Sequence, residues 1–253
     1  MLKVRNIIIG NGIPKIIVPL VGGSDAELID EVRHVMNLEP DIVEWRVDTY
    51  DHVEDFTAVH FMLVKLRDLL GNTPLLFTFR SFQEGGKREA SVTFYQELIM
   101  NAIENKLIDL VDIELFLGDI LVKKLVAIAK KNNIYVVLSN HEFHKTPDKE
   151  EIVNRLRNMQ ELGADIPKIA VMPNSTQDVV TLLDATNTMK DEYADRPFIT
   201  ISMGEKGLVT RLSGGVFGSA ATFGAGREAS APGQLDAKEL RRTLELFHPS
   251  HKL

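Results

Sequence analysis

Along the chain, short apolar runs rich in Val and Ile take turns with stretches whose apolar residues recur every three to four positions, and the two kinds interleave from one end to the other. The strand-like runs fall at 15–20, 41–48, 75–80, 110–115, 134–141, 166–172, 197–203 and 218–223. Most lack the alternation of a half-exposed strand, which predicts parallel strands covered on both faces. Between the first two, Ser24 and Glu27 form a capping-box pair, and Leu28, Ile29, Val32, Val35 and Met36 follow at helical spacing. Similar helical stripes run over 57–70, 91–105, 119–131, 148–161, 175–190 and 236–247. The segment after the seventh run is the exception: it is Gly-rich, shows no clear helix, and reads as a mobile loop leading into the eighth strand. Residues 4–9 with Gly10-Asn11-Gly12 predict an extra strand and turn that cap the bottom of the fold.

Strand starts about 29 residues apart suit βα units without large insertions. Eight such units predict a (β/α)₈ TIM barrel, with residues 1–253 as a single domain. A doubly wound sheet is the alternative, but the GxGxxG fingerprint is missing after the first strand, where Val21-Gly22-Gly23-Ser24 stands.

Composition narrows the chemistry. Lys and Arg number 29 against 36 Asp and Glu, a net charge of −7, the wrong sign for neutralising phosphate backbones, so no nucleic acid partner is expected. With no Cys there is no disulfide, thiolate zinc site or cysteine nucleophile. The opening MLKVRNIIIGNG holds only three consecutive Ile before a turn, so neither a signal peptide nor a membrane segment is expected, and a cytoplasmic location fits.

Ionisable side chains on the inward face of a barrel are costly unless paired or functional. Period-two alternation puts Glu44, Arg46 and Asp48 on one face and Val43, Trp45 and Val47 on the other. The same parity groups Asp112 with Glu114, Ser139 with His141, and Lys168 with Ala170. Around the barrel mouth Glu44, Glu84, Asp112 and Glu114 stand against Arg46, Arg80, Lys168 and Arg211, so the signs balance and permit burial. Lys168 sits mid-strand in an apolar run, either as a structural ion-pair partner of Asp112 or Glu114 or as a buried amine whose lowered pKa suits a Schiff base with a carbonyl substrate. His141 ends the fifth strand, where barrels place catalytic groups. A metal site with His144 is weak, because HExxH would need histidine where Lys145 stands. Glu84 lies in a Gly-flanked loop, where a solvated charge is the default.

Taken together, Glu44-Trp45-Arg46-Val47-Asp48, Thr78-Phe79-Arg80 with Glu84-Gly85-Gly86, Ser139-Asn140-His141, Lys168-Ile169-Ala170, Ser202-Met203-Gly204 and Ser230-Ala231-Pro232-Gly233-Gln234 make the chain resemble type I 3-dehydroquinate dehydratases over essentially its whole length. The resemblance implies a (β/α)₈ barrel closed below by an N-terminal β-hairpin, a homodimer, and dehydration of 3-dehydroquinate to 3-dehydroshikimate in the shikimate pathway, with no metal and no cofactor. It implies Lys168 as the Schiff-base residue, His141 as general base and then acid, and Glu84 as the group orienting His141. It places the substrate carboxylate on Arg211, Ser230 and Gln234 and the hydroxyls on Glu44, Arg46 and Arg80, with Met203, Phe223 and Ala231 packing against the ring. A lid at 230–234, poor in apolar contacts at Gly226, Ala229, Ala231 and Gly233, is expected to close on the anion. Another Schiff-base barrel of the class I aldolase or transaldolase kind, or a non-catalytic barrel binding a small anion, are the readings the residues leave open.

Overall fold

Eight parallel strands form one sheet in the computed structural model, which describes residues 1–227 and 230–248. They are β3 (Lys15–Leu20), β4 (Ile42–Arg46), β5 (Leu75–Thr78), β6 (Leu110–Glu114), β7 (Tyr135–Glu142), β8 (Ile166–Val171), β9 (Ile199–Ser202) and β10 (Ala221–Phe223), following the antiparallel pair β1 (Leu2–Val4) and β2 (Ile7–Ile9). The order around the sheet is β10-β3-β4-β5-β6-β7-β8-β9, so chain neighbours are spatial neighbours throughout. The ring is closed by a parallel bridge between Phe198 and Ser219, where Ala220 N–H donates to the Phe198 carbonyl at 2.8 Å. Helices α1 (Asp25–Met36), α2 (Phe56–Leu70), α3 (Val92–Glu104), α4 (Asp119–Lys131), α5 (Lys149–Glu161), α6 (Thr176–Thr188), α7 (Leu208–Phe217) and α8 (Ala237–Phe247) surround it, completing a (β/α)₈ barrel. The Ser24–Glu27 capping box forms as its spacing predicts. None of the helices is long and apolar enough to cross a membrane among the described residues.

Two cores follow from the period-two geometry of the strands. Outward residues such as Val43, Trp45, Phe77, Val111, Leu138 and Ile169 pack under the helices, and Trp45 meets Tyr50 and Phe77 edge-on at 5.6 Å. Inward, Ile17, Ile42, Leu76, Leu110, Val137, Ile166, Ile199 and Ala221 form one apolar layer, a residue from each strand, and Val4 and Ile9 of the β1–β2 hairpin plug it from below. Tyr135 Oη pins that hairpin through the Lys3 carbonyl at 3.0 Å. The next inward layer up carries Glu44, Thr78, Asp112, Ser139 and Lys168, so the apolar floor separates the polar mouth from the barrel's base.

Three expectations need correction. Residues 4–9 are not one extra strand: the chain also turns at Arg5-Asn6, with Arg5 at φ 49°, which makes the two-stranded hairpin that the resemblance implies, and the expected turn at Gly10-Asn11-Gly12, with Gly10 and Gly12 at φ 85° and 70°, follows it. The last strand starts at Ala221, three residues later than the sequence pattern suggests, because Gly218 makes a turn at φ 123°. The segment after β9 is helical: α7 forms despite Gly214 and Gly215, whose low propensity hid it. Gly215 is needed there, since a Cβ would lie 2.3 Å from Pro14 Cγ. Tertiary contact with the strand-leading segment thus outweighs propensity.

Candidate active site

The strand ends and the loops beyond them surround a cavity that opens to solvent. Lys168 reaches it from the middle of β8, 4% exposed, its Nζ 3.8 Å from Asp112 Oδ2 and 4.4 Å from the centre of the Phe223 ring. Burial drives the amine's pKa down, and Arg80 and Arg46 push the same way; Asp112 and Glu44 oppose them without restoring the ordinary value. Asp112 Oδ2 has no hydrogen-bond partner among the described residues, so Lys168 is its nearest compensation.

Arg80 organises the acids. One Nη contacts Asp112 Oδ1 at 2.8 Å and the other Glu114 Oε1 at 2.8 Å, Ser139 Oγ at 3.0 Å and Glu84 Oε2 at 3.5 Å. Ser139 Oγ donates to Asp112 Oδ1 at 2.6 Å. Arg46 grips Asp48 with two bonds of 2.8 and 2.9 Å, and Thr78 Oγ1 donates to Glu44 Oε1 at 2.9 Å.

Glu84 is buried, at 7% exposure, rather than solvated as its loop position suggests. Its loop turns inward at Gly85, φ 86°, where a Cβ would sit 2.2 Å from the Phe143 ring; only glycine allows this path. Glu84 Oε2 accepts the His141 backbone N–H and lies at the same 2.9 Å from ring Nδ1, the partner of an Nδ1–H tautomer, while Asn140 Nδ2 approaches Oε1 at 3.4 Å. That leaves the His141 Nε2 lone pair for the cavity. Burial pushes the Glu84 carboxyl up to about 8 against the pull of Arg80, and burial with nearby cations, Arg80 first, holds the His141 imidazole well below 6.5. The imidazole is thus kept neutral and the pair shares its proton bookkeeping. His144 is exposed, and among the described residues no three His, Asp or Glu side chains converge as metal ligands.

Arg211 breaks the expected balance of charge. It is 2% exposed on α7 and donates to the Phe223 and Pro232 carbonyls at 3.5 and 3.0 Å. No carboxylate pairs with it among the described residues, and its Nε has no partner. Burial alone pulls its pKa to about 10. Asp48, left out of the sequence-based balance, takes Arg46, so the fourth base at the mouth is left for an anion.

The 230–234 segment lies over this guanidinium. Ser230 N–H donates to Gln234 Oε1 at 2.9 Å, Gln234 Nε2 donates back to Ser230 Oγ at 3.0 Å, and Gly204 N–H holds the Pro232 carbonyl at 3.2 Å. Ala229 lies outside the described residues. The catalytic and binding residues that the resemblance implies all line this cavity: Lys168, His141, Glu84, Glu44, Arg46, Arg80, Met203, Arg211, Phe223, Ser230, Ala231 and Gln234; Asp112 and Glu114, counted at the mouth from sequence, do not. Sequence reasoning missed Phe143 and Ile201, though both share the inward parity of His141 and Met203.

The family model for type I 3-dehydroquinase matches residues 16–251. The chain belongs to the type I 3-dehydroquinase family. It is 58% identical to the 3-dehydroquinate dehydratase of Bacillus velezensis, over 98% of either protein, and 56% identical to that of Bacillus subtilis, over 98% of this chain and 97% of the other. The type I 3-dehydroquinate dehydratase of Clostridium difficile, solved with covalently modified comenic acid, superposes with a TM-score of 0.95 at 49% identity, covering 98% of this chain and 97% of that one. A 3-hexulose-6-phosphate synthase from Salmonella typhimurium superposes at 0.58 with 17% identity over 92% of this chain and all of the other, a likeness of fold alone. As a type I dehydroquinase the chain is an enzyme, a hydro-lyase acting on a carbon–oxygen bond.

Proposed function

We propose that the enzyme dehydrates 3-dehydroquinate to 3-dehydroshikimate through an imine on Lys168, as a step of the shikimate pathway. The observation that carries the reading is the pairing, in one cavity, of a buried amine with a lowered pKa and a buried guanidinium that has no carboxylate of its own. A ligand bearing both a ketone and a carboxylate fits that pair, and the relatives are named for such a substrate, 3-dehydroquinate. The covalently modified comenic acid in the Clostridium difficile relative is a further support for a nucleophile in this site.

In this mechanism the neutral Lys168 amine attacks the ketone carbon, the carbonyl oxygen departs as water, and a protonated imine remains. Asp112, 3.8 Å from Nζ, balances its charge. The imine draws electrons from the neighbouring C–H bond, so a weak base suffices to break it. His141 Nε2 takes that proton while Glu84 holds Nδ1–H and steadies the imidazolium. The resulting enamine expels the hydroxyl one carbon further on, and His141 returns the proton to it so that water leaves. Water then hydrolyses the product imine and frees Lys168. Arg211, with Ser230 and Gln234, holds the carboxylate, and Glu44, Arg46 and Arg80 meet the hydroxyls. Met203, Phe223 and Ala231 pack against the ring.

Borohydride reduction tests this. With 3-dehydroquinate present the enzyme should be irreversibly inactivated and carry a mass adduct on the peptide containing Lys168; Lys168→Ala should trap nothing, and His141→Ala should trap while losing turnover by roughly 10² to 10⁴. An adduct on Lys145 or Lys206, or trapping only with sugar phosphates, would overturn the assignment.

A further inference from the structure

Asn140 stands in β7 between the inward Ser139 and His141, so its side chain has the parity of the outward apolar residues Leu138 and Val136, yet it is an amide at 2% exposure. A buried amide on that face is costly unless both ends are satisfied. They are. Arg155, in the second turn of α5, donates from Nη1 to Asn140 Oδ1 at 2.8 Å, and Asn140 Nδ2 points to Glu84 Oε1 at 3.4 Å. A guanidinium has only donors, so Arg155 forces the carbonyl end of the amide toward itself and the NH₂ end toward the carboxylate. Were the amide reversed, N–H would meet N–H at one end and oxygen would meet carboxylate at the other.

We infer that Arg155 and Asn140 are positioning residues for the reaction, a side-chain arm that reaches from helix α5 through Glu84 to His141, fixes the orientation of the Glu84 carboxyl and favours its ionised form. The inference rests on the proposed role of His141 as base. The two oxygens of Glu84 divide the work: Oε2 takes the ring and backbone N–H groups of His141, and Oε1 has Asn140. Without the amide, Oε1 loses its donor, and the carboxylate is free to rotate away from Nδ1. The other charges facing Glu84 are Arg80 from β5 and Asp112 and Glu114 from β6; Lys168 and Arg46 act on His141. Two acids set against one arginine, together with burial, favour the protonated carboxyl, and Asn140 opposes them. Arg155 is itself anchored by Glu151 at 2.7 Å, by Glu142 at 3.7 Å and over the Phe116 ring at 5.2 Å, so its guanidinium is held against the strand.

The test is the pH dependence of kcat with 3-dehydroquinate in Asn140→Leu, Arg155→Met and Arg155→Lys. Asn140→Leu should move the acid limb up by about one pH unit, cutting kcat at pH 7 about ten-fold with KM changed less than about two-fold, and the loss should shrink as pH rises. Arg155→Met, which keeps the apolar stem of a side chain 14% exposed, should shift the limb in the same direction, and Arg155→Lys, which restores a donor-only cation, should recover most of it. A variant whose profile runs parallel to the wild type, lower at every pH, would mean general structural damage and overturn the inference; so would equal effects of Met and Lys at 155. Borohydride trapping at Lys168 is run alongside: failure to trap in the wild type would sink the proposed function, whereas normal trapping with unshifted profiles would sink only the positioning arm.

Discussion

Replacing Arg211 by Met should make the free protein more stable while disabling it. Burial alone lowers the guanidinium's pKa well below its ordinary value, to about 10. At 1.36 kcal/mol per pH unit, keeping that charge inside the fold costs about 3 kcal/mol. Methionine has a similar reach and no charge. The loss to set against this is small, because the Pro232 carbonyl keeps the Gly204 N–H at 3.2 Å and the Phe223 carbonyl gives up only a 3.5 Å contact, on the order of 1 kcal/mol. The net gain of about 2 kcal/mol corresponds to a Tm higher by roughly 4 to 8 °C for a domain of this size. The sign of the pH linkage forbids testing this by titration: the folded value is the lower one, so the deficit is constant at working pH and is relieved only as pH climbs above about 10. Substitution and ligand are therefore the levers. In the wild type a carboxylate ligand at 100 times its Kd should add about 2.7 kcal/mol, and in Arg211→Met that added stability should largely vanish. Losing a desolvated charge pair with the substrate carboxylate should cut kcat/KM by roughly 30- to 1000-fold, at 2 to 4 kcal/mol. Calorimetry with and without product, beside steady-state kinetics, reads all three. A variant that melts lower than the wild type and still responds to ligand would refute the claim that Arg211 is an uncompensated charge kept for an anion.

Gly85→Ala should lower Tm and kcat together, since a left-handed φ of 86° costs about 1–2 kcal/mol for an L residue and the new Cβ would strike Phe143; unchanged melting and turnover would refute the tight inward turn of Glu84. Asp112→Asn removes the strongest influence holding the Lys168 amine protonated, so the borohydride-trapping rate should rise at lower pH than in the wild type, while Arg80 keeps Glu114 and Glu84 as partners; a trapping profile that does not move would contradict the electrostatic coupling. Hydrogen exchange at 230–234 should be slowed strongly by substrate or product, because the segment's links to Arg211 and Gly204 close the mouth; equal protection with and without ligand would remove the lid.

The repeating order of eight strands and helices was legible in the chain because both periods are local, two residues in a strand and 3.6 in a helix, and survive whatever the rest of the chain does. The same locality put Glu44 with Arg46, Asp112 with Glu114, and Lys168 with Ala170 on inward faces, and set His141 at a strand end. Helix α7 was not legible, since its glycines weaken the local signal and only packing against Pro14 explains Gly215. Nor was the fate of Glu84 legible from its local sequence, where only the family resemblance paired it with His141: it meets that histidine, 57 residues away, after its loop folds back into the mouth. The charges around the mouth can be counted in a sequence, but their pairing cannot: that Arg46 takes Asp48, that Arg80 gathers three acids, and that Arg211 is left without one depends on distances between strands that only the closed barrel sets. Desolvation is a property of the assembled interior, so the lowered amine of Lys168, the raised carboxyl of Glu84 and the unbalanced guanidinium of Arg211 were decided by tertiary structure, on residue types that the sequence had already put in place.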